Sequence, residues 1–187
     1  MTGPNIALVR AADLVGMPWR NGAGTTAEIA VAPDSAASVP LWRFSLADLH
    51  PGTTAFSSFD GVDRVFTVVG ATGVHLRWTT SDADAAPRQP VTFSGANPPL
   101  CHAAEATRAL NVMVDGTRAT AVVQVLELDS SGLTTDAQSV TLAYVDAGLA
   151  SVGSVAAGPG DVVLVRYASV EFTGPARILL ARVDVVQ

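Results

Sequence analysis

Met17-Pro18-Trp19-Arg20-Asn21-Gly22-Ala23-Gly24-Thr25-Thr26-Ala27-Glu28-Ile29 is the stretch from which the fold of this chain is read. A Pro-Trp pair leads into a short turn made of an amide and small residues, and an apolar alternation follows. Gly22 and Gly24 permit positive φ and leave room for another group to approach the main chain. From Thr25 the period is two. Thr25, Ala27, Ile29 and Val31 fall on one face, and Thr26, Glu28 and Ala30 on the other. The chain thus enters a strand through a Gly-rich elbow that carries polar side chains. Gly/Asn clusters ordinarily mark turns, so the stretch alone specifies a turn and a strand.

The same alternation recurs downstream. Residues 41–49 read as a strand with Trp42, Phe44 and Leu46 on one face and Arg43, Ser45 and Ala47 on the other, stopped by His50-Pro51-Gly52. Residues 64–69 and 74–78 are predicted to pair as a hairpin across Gly70-Ala71-Thr72-Gly73. Residues 79–90 read as a surface loop. Residues 108–114 and 118–128 flank Asp115-Gly116-Thr117, which predicts a second hairpin. Further strands are expected at 140–145, 150–155, 161–166 and 176–185. Only a turn of helix is expected, near Ala11 to Val15. Strands at roughly 8–12-residue spacing, separated by turn signals, indicate an all-β sandwich or barrel.

Composition narrows the function classes. The chain has 187 residues, 49% of them hydrophobic and 15% charged, which is enough apolar material for a sizeable core. Net charge is −6 and every basic residue is Arg, without a basic cluster, so nucleic acid is not an expected partner. No segment is apolar for long enough to cross a bilayer as a helix, and residues 1–10 do not read as a signal peptide. Cys101 is the single cysteine and cannot form an intrachain disulfide. A cytoplasmic protein is expected.

Few residues offer chemistry. His50, His75 and His102 are isolated in sequence, no His-x-His pair exists, and neither a metal nor a cofactor is expected. Glu28 lies on the polar face of its strand and is the candidate base if the protein is an enzyme, a question the residues leave open. Arg64 begins a strand whose same-side neighbours are Phe66 and Val68. A cation on such a face needs a partner, because burying it alone is costly. Either an internal carboxylate, Glu28 or Asp63, or an external one would serve. Asn111, mid-strand beside Met113, poses the same question.

The opening stretch, followed by Trp42-Arg43-Phe44-Ser45-Leu46-Ala47, Phe56-Ser57-Ser58-Phe59-Asp60-Gly61-Val62-Asp63-Arg64, Phe93-Ser94-Gly95 and Asn111-Val112-Met113, resembles the HutD/Ves family in order and over nearly the whole chain. Two departures stand out. Ala23 occupies the middle of a turn that has three glycines in most relatives, and Ala109-Leu110 replaces the usual Asp-Phe before Asn111.

The resemblance implies a cupin-type jelly-roll bicupin in one compact 1–187 unit. Its halves would be 1–107, bearing the pocket, and a more apolar 108–187. It implies a binding protein for a small carboxylate metabolite, with a regulatory role in histidine utilisation and a formylglutamate-like ligand. Asn21, Thr25, Trp42, Arg64 and Asn111 are the ligand-binding candidates. A metal-independent isomerase or hydrolase and a homodimerisation module are the alternatives.

Overall fold

A computed structural model describes residues 5–32 and 39–186. Along the chain the strands are β1 (Ile6–Val9), β2 (Met17–Pro18), β3 (Gly24–Val31), β4 (Trp42–Leu49), β5 (Gly52–Ala55) and β6 (Val62–Val68). They continue with β7 (Val74–Arg77), β8 (Asp82–Ala85), β9 (Pro90–Ser94), β10 (Leu100–Ala103), β11 (Thr107–Asp115), β12 (Ala119–Leu128) and β13 (Leu133–Thr134). The last are β14 (Val140–Gly148), β15 (Ala150–Val152), β16 (Val155–Ala157), β17 (Val162–Arg166), β18 (Glu171–Thr173) and β19 (Ala176–Val185). A 3₁₀ turn at Ala11–Asp13 is the one helical element among the described residues, so the expected all-β class holds. No helix among them is long and apolar enough to cross a membrane.

The strands fall into two compact units. One comprises Val15–Ala121 and the chain end beyond Val185; the other comprises the chain up to Leu14 with Val122–Val185. Each contains two open antiparallel sheets. In the first unit these run β2-β3-β4-β11-β6-β9 and β5-β10-β7-β8. In the second they run β1-β17-β14-β19-β12 and β13-β18-β15-β16. The division therefore differs from halves at 1–107 and 108–187. β11 lies between β4 and β6 inside the first unit, and β1 joins the second by pairing Ile6 with Val165.

The first unit closes around one apolar layer. Phe66, Val68 and Ala109 of the six-stranded sheet meet Leu76, Cys101 and Ala85 of the four-stranded sheet, with Leu49, Val74, Phe93 and Ala103 filling the layer. The second unit repeats the scheme with Ala143, Val145, Val163, Val165 and Ile178 against Val152, Ala157 and Phe172. Burial of the Val, Leu, Ile and Phe side chains among them contributes roughly 1.5–3 kcal/mol each before the cost of ordering them.

Neither predicted hairpin forms. β6 and β7 lie in different sheets, because the N–H groups of Val69 and Gly70 both bond the carbonyl of Arg108, at 2.8 and 3.0 Å, and lead the chain away from β6. A Cβ on Gly70 would lie 2.3 Å from Thr107 Oγ1, so this crossing requires glycine. β11 and β12 also separate. Asp115 captures the N–H and hydroxyl of Thr117, and Gly116 N–H bonds Gly61 O at 2.9 Å, which ties this turn to the start of β6. The predicted 79–90 loop contains β8, paired with β7 through His75 with Asp84 and Arg77 with Asp82.

Candidate ligand-binding site

Antiparallel register sets residues of neighbouring strands side by side on one face. On the face that carries Phe66 and Val68, three rows cross the six-stranded sheet of the first unit. The first is Arg43, Met113, Arg64 and Phe93; the second is Glu28, Ser45, Asn111 and Phe66. The third is Thr26, Ala47, Ala109 and Val68. Arg43, Met113 and Arg64 of the first row, Ser45 and Asn111 of the second and Thr26 and Ala47 of the third floor a hollow of about 480 Å³, walled by Trp19 and Asn21 of the opening stretch and by Phe56 and Ser57.

Arg64 is the centre of the floor and is only 4% exposed. Its Nη2 donates to Asn111 Oδ1 at 3.1 Å, and Nη1 reaches Ser57 O at 3.5 Å. Its Nε is buried without a hydrogen-bond partner. The guanidinium carbon lies 5.1 Å from the Phe56 ring centre and 5.0 Å from that of Phe93. Contact with the ring faces offsets part of the lost hydration, but no carboxylate among the described residues pairs with it. Both internal partners considered from sequence are engaged elsewhere or turned away. Glu28 bonds Arg43 Nε at 2.9 Å, and Asp63 projects from β6 to the other face. Burial, and next the nearby charge of Arg43, pull the Arg64 pKa down to about 10.

The opening stretch builds one wall. Trp19 N–H bonds Gly24 O at 2.9 Å, Gly22 N–H bonds Trp19 O at 3.0 Å, and Gly22 takes φ 69°. Gly24 serves a different purpose. A Cβ there would stand 2.3 Å from the Asp48 carbonyl oxygen and 3.2 Å from the Trp19 ring. The indole Nε1 donates to Thr26 Oγ1 at 2.7 Å, which fixes the ring over the floor. Asn21 accepts from Ala23 N–H at 3.1 Å and donates to Thr54 Oγ1 at 3.0 Å.

Of the ligand candidates read from sequence, Asn21, Arg64 and Asn111 come together around the hollow. Thr25 and Trp42 do not. Thr25 alternates to the opposite face from Thr26 and directs its hydroxyl toward Asp48 Oδ2, at 3.4 Å. Trp42 is 2% exposed on the face opposite Arg43, with its ring centre 5.2 Å from that of Phe44. The period-two pattern that set Arg43, Ser45 and Ala47 apart from Trp42 already carried this signal, and it identifies Arg43, Ser45 and Thr26 as the residues to add. Phe56 and Phe93 are the other additions. Their role follows from the register of β9 and the path into β6, which one strand's sequence does not encode.

Glu28 faces the same side as Ser45 but remains half exposed and held by Arg43. Ala109 is fully buried in the third row, beside Ala47 and Val68, so the departure from the usual Asp puts a small apolar side chain in the core layer beneath the hollow. Leu110 points to the other face and is likewise fully buried.

Fold and site together define an all-β protein with a hollow built on a buried, carboxylate-free guanidinium. The HutD family model matches residues 11–184, and the chain belongs to the HutD family. It is 33% identical over 102 residues to an uncharacterised protein from the region 3′ of hutC in Pseudomonas putida, covering 51% of this chain and 50% of that protein. It is 35% identical over 112 residues to protein Ves of Citrobacter koseri, covering 58% of each. The chain spans about half the length of the curated relatives it matches. Over its full extent it is similar in structure to HutD from Pseudomonas fluorescens SBW25, determined in a formate condition. That similarity has a TM-score of 0.84 and 28% identity, and covers 97% of this chain and 100% of that one. Its structural neighbours are cupin-like.

Proposed function

We propose that this protein binds a small carboxylate metabolite in the hollow around Arg64 and acts as a regulatory or sensing protein in histidine utilisation, with a formylglutamate-like ligand. The observation that carries this reading is the state of Arg64: buried, unpaired by any carboxylate among the described residues, and with Nε unbonded. A guanidinium presents paired N–H groups that match a carboxylate fork. A ligand carboxylate would meet the guanidinium of Arg64 where it borders the hollow, with Asn111 and Asn21 as further polar groups. The formate condition of the Pseudomonas fluorescens HutD structure and the hutC neighbourhood of the Pseudomonas putida relative are consistent with this reading. We further propose that the two units are the halves of a bicupin, supported by the pairing of a larger sheet with a four-stranded one in each. A cytoplasmic location belongs to the same proposal.

Calorimetric titration with formylglutamate, glutamate, formate and urocanate tests it. Binding of at least one is expected in the wild type and its loss in Arg64→Ala. Equal affinities in the two proteins would sink the role of Arg64. Catalysis with Glu28 as base has less support, since the carboxylate is spent on Arg43 and does not line the hollow. Turnover of any of these compounds that disappears in Glu28→Gln would reverse that order.

A further inference from the structure

A second cluster of titratable groups lies in the first unit, on the four-stranded sheet. The register aligns Thr53, His102, His75 and Asp84 in one row across β5, β10, β7 and β8. His102 and His75 are direct cross-strand neighbours, so their Cβ atoms stand roughly 4.5–5.5 Å apart. Each imidazole is held at Nδ1 by the strand outside it. Thr53 Oγ1 lies 3.0 Å from His102 Nδ1, and Asp84 Oδ1 lies 2.8 Å from His75 Nδ1. Both rings border a hollow of about 330 Å³ that also takes in Arg77 and Leu100.

We infer that His75 and His102 form a surface site for a divalent transition-metal ion, bound through the two Nε2 atoms. Metal-ligating histidines characteristically donate their other N–H to a carboxylate or another oxygen, which fixes the tautomer and the ring orientation. Asp84, a carboxylate that only accepts, does this for His75, and the Thr53 hydroxyl can accept the same bond from His102, which leaves an Nε2 lone pair on each ring. Asp82 Oδ2, 3.7 Å from His75 Nε2, is the nearest further oxygen donor. Among the described residues no three His, Cys, Asp or Glu side chains already converge, so water completes the coordination and the affinity is that of a two-imidazole site. Imidazole donors suit Zn²⁺, Cu²⁺ and Ni²⁺, whereas Mg²⁺ and Ca²⁺ require oxygen. Arg77 at the same hollow sharpens that choice, because its charge disfavours any cation held by electrostatics alone. Cys101 is 1% exposed and offers no competing thiolate.

The test is Zn²⁺ titration of the untagged full chain by calorimetry, with Mg²⁺ as control. One Zn²⁺ per chain is expected, reversible by a chelator, with no heat from Mg²⁺. His102→Ala and His75→Ala should each weaken binding by at least tenfold, Asp84→Asn by about tenfold through loss of orientation, and His50→Ala not at all. Absence of Zn²⁺ binding in the wild type, or binding unchanged in His102→Ala, overturns the site. Imidazole proton resonances of the unsubstituted chain give a second measurement independent of variant folding. Zn²⁺ should move those of His75 and His102 and leave those of His50. Movement of His50 alone overturns the site.

Discussion

The carboxamide oxygen of Asn111 accepts a hydrogen bond from Nη2 of Arg64 at 3.1 Å. A guanidinium only donates, so the oxygen must face it and the amide NH₂ must turn the other way. One contact thereby orients two side chains. It also makes the Asn/Asp distinction at this position decisive. Asn111→Asp would place a carboxylate against Arg64 without changing shape. The substituted protein is expected to melt higher than the wild type while carboxylate affinity falls by at least tenfold, since the internal anion occupies the ligand's place. Thermal denaturation and calorimetry on the same sample check both.

Arg64 costs the unliganded protein stability. Its pKa is lowered to about 10 on folding, so the folded state holds that proton less tightly than the unfolded chain does. The sign is fixed by linkage: the penalty is fully present below about pH 10 and is relieved as pH rises beyond it. Arg64→Met, similar in size and uncharged, is expected to stabilise the unliganded protein by on the order of 1 kcal/mol at neutral pH and to abolish carboxylate binding. Chemical denaturation measures the first effect. In the wild type, carboxylate affinity should hold through neutral pH and fall as pH passes about 10.

Gly24 and Ala23 should respond in opposite ways. Gly24→Ala forces a Cβ to within 2.3 Å of the Asp48 carbonyl, with backbone rather than a flexible side chain in the way. A loss of roughly 2 kcal/mol or more is expected, together with weakened ligand binding as Trp19 is pushed from its place. Ala23→Gly only adds freedom to the unfolded chain and should cost roughly 0.4–1 kcal/mol without touching affinity. Denaturant midpoints and calorimetry on the pair separate the two cases.

Asp161 anchors the second unit. Burial opposes its ionisation, but N–H groups of Ala11 and Gly158, at 2.9 and 3.0 Å, and Arg10 at 2.8 Å together outweigh burial and hold its pKa below the ordinary carboxylate range. A lowered carboxylate pKa gives stability that is present at neutral pH and lost as pH falls through the folded-state value. Asp161→Asn is expected to cost about 1–3 kcal/mol at pH 7. The gap between the two proteins should close in acid, as read from urea denaturation at several pH values.

Strand content was readable because burial on one face imprints a period of two. β3, β4, β9, β14, β17 and β19 all carry that pattern or an unbroken apolar run. What the pattern cannot say is which strands meet. Glycine-bearing links such as Gly70 to Gly73 look the same whether they fold a hairpin or carry the chain to another sheet. The decision rests on distant groups such as the Arg108 carbonyl. The hollow was foreshadowed at Arg64 and Asn111, where a polar side chain stands in an apolar row. The candidate Trp42 falls outside it, because the alternation of its own strand turns it away from Arg43.

β1 has a consequence for the order of assembly. Residues Val15–Ala121 carry nearly all of the first unit, so a growing chain can build that unit while the rest is still to come. The second unit cannot close that way. Ile6–Val9 is made before the first unit, yet its partner, Val162–Arg166, is made only after it. Until then an apolar strand waits with open edges, a template for any passing β-segment. Aggregation during synthesis should therefore be most sensitive to residues 6–9, a vulnerability greatest in the nascent chain, since pairing with β17 later covers one of the two edges of β1.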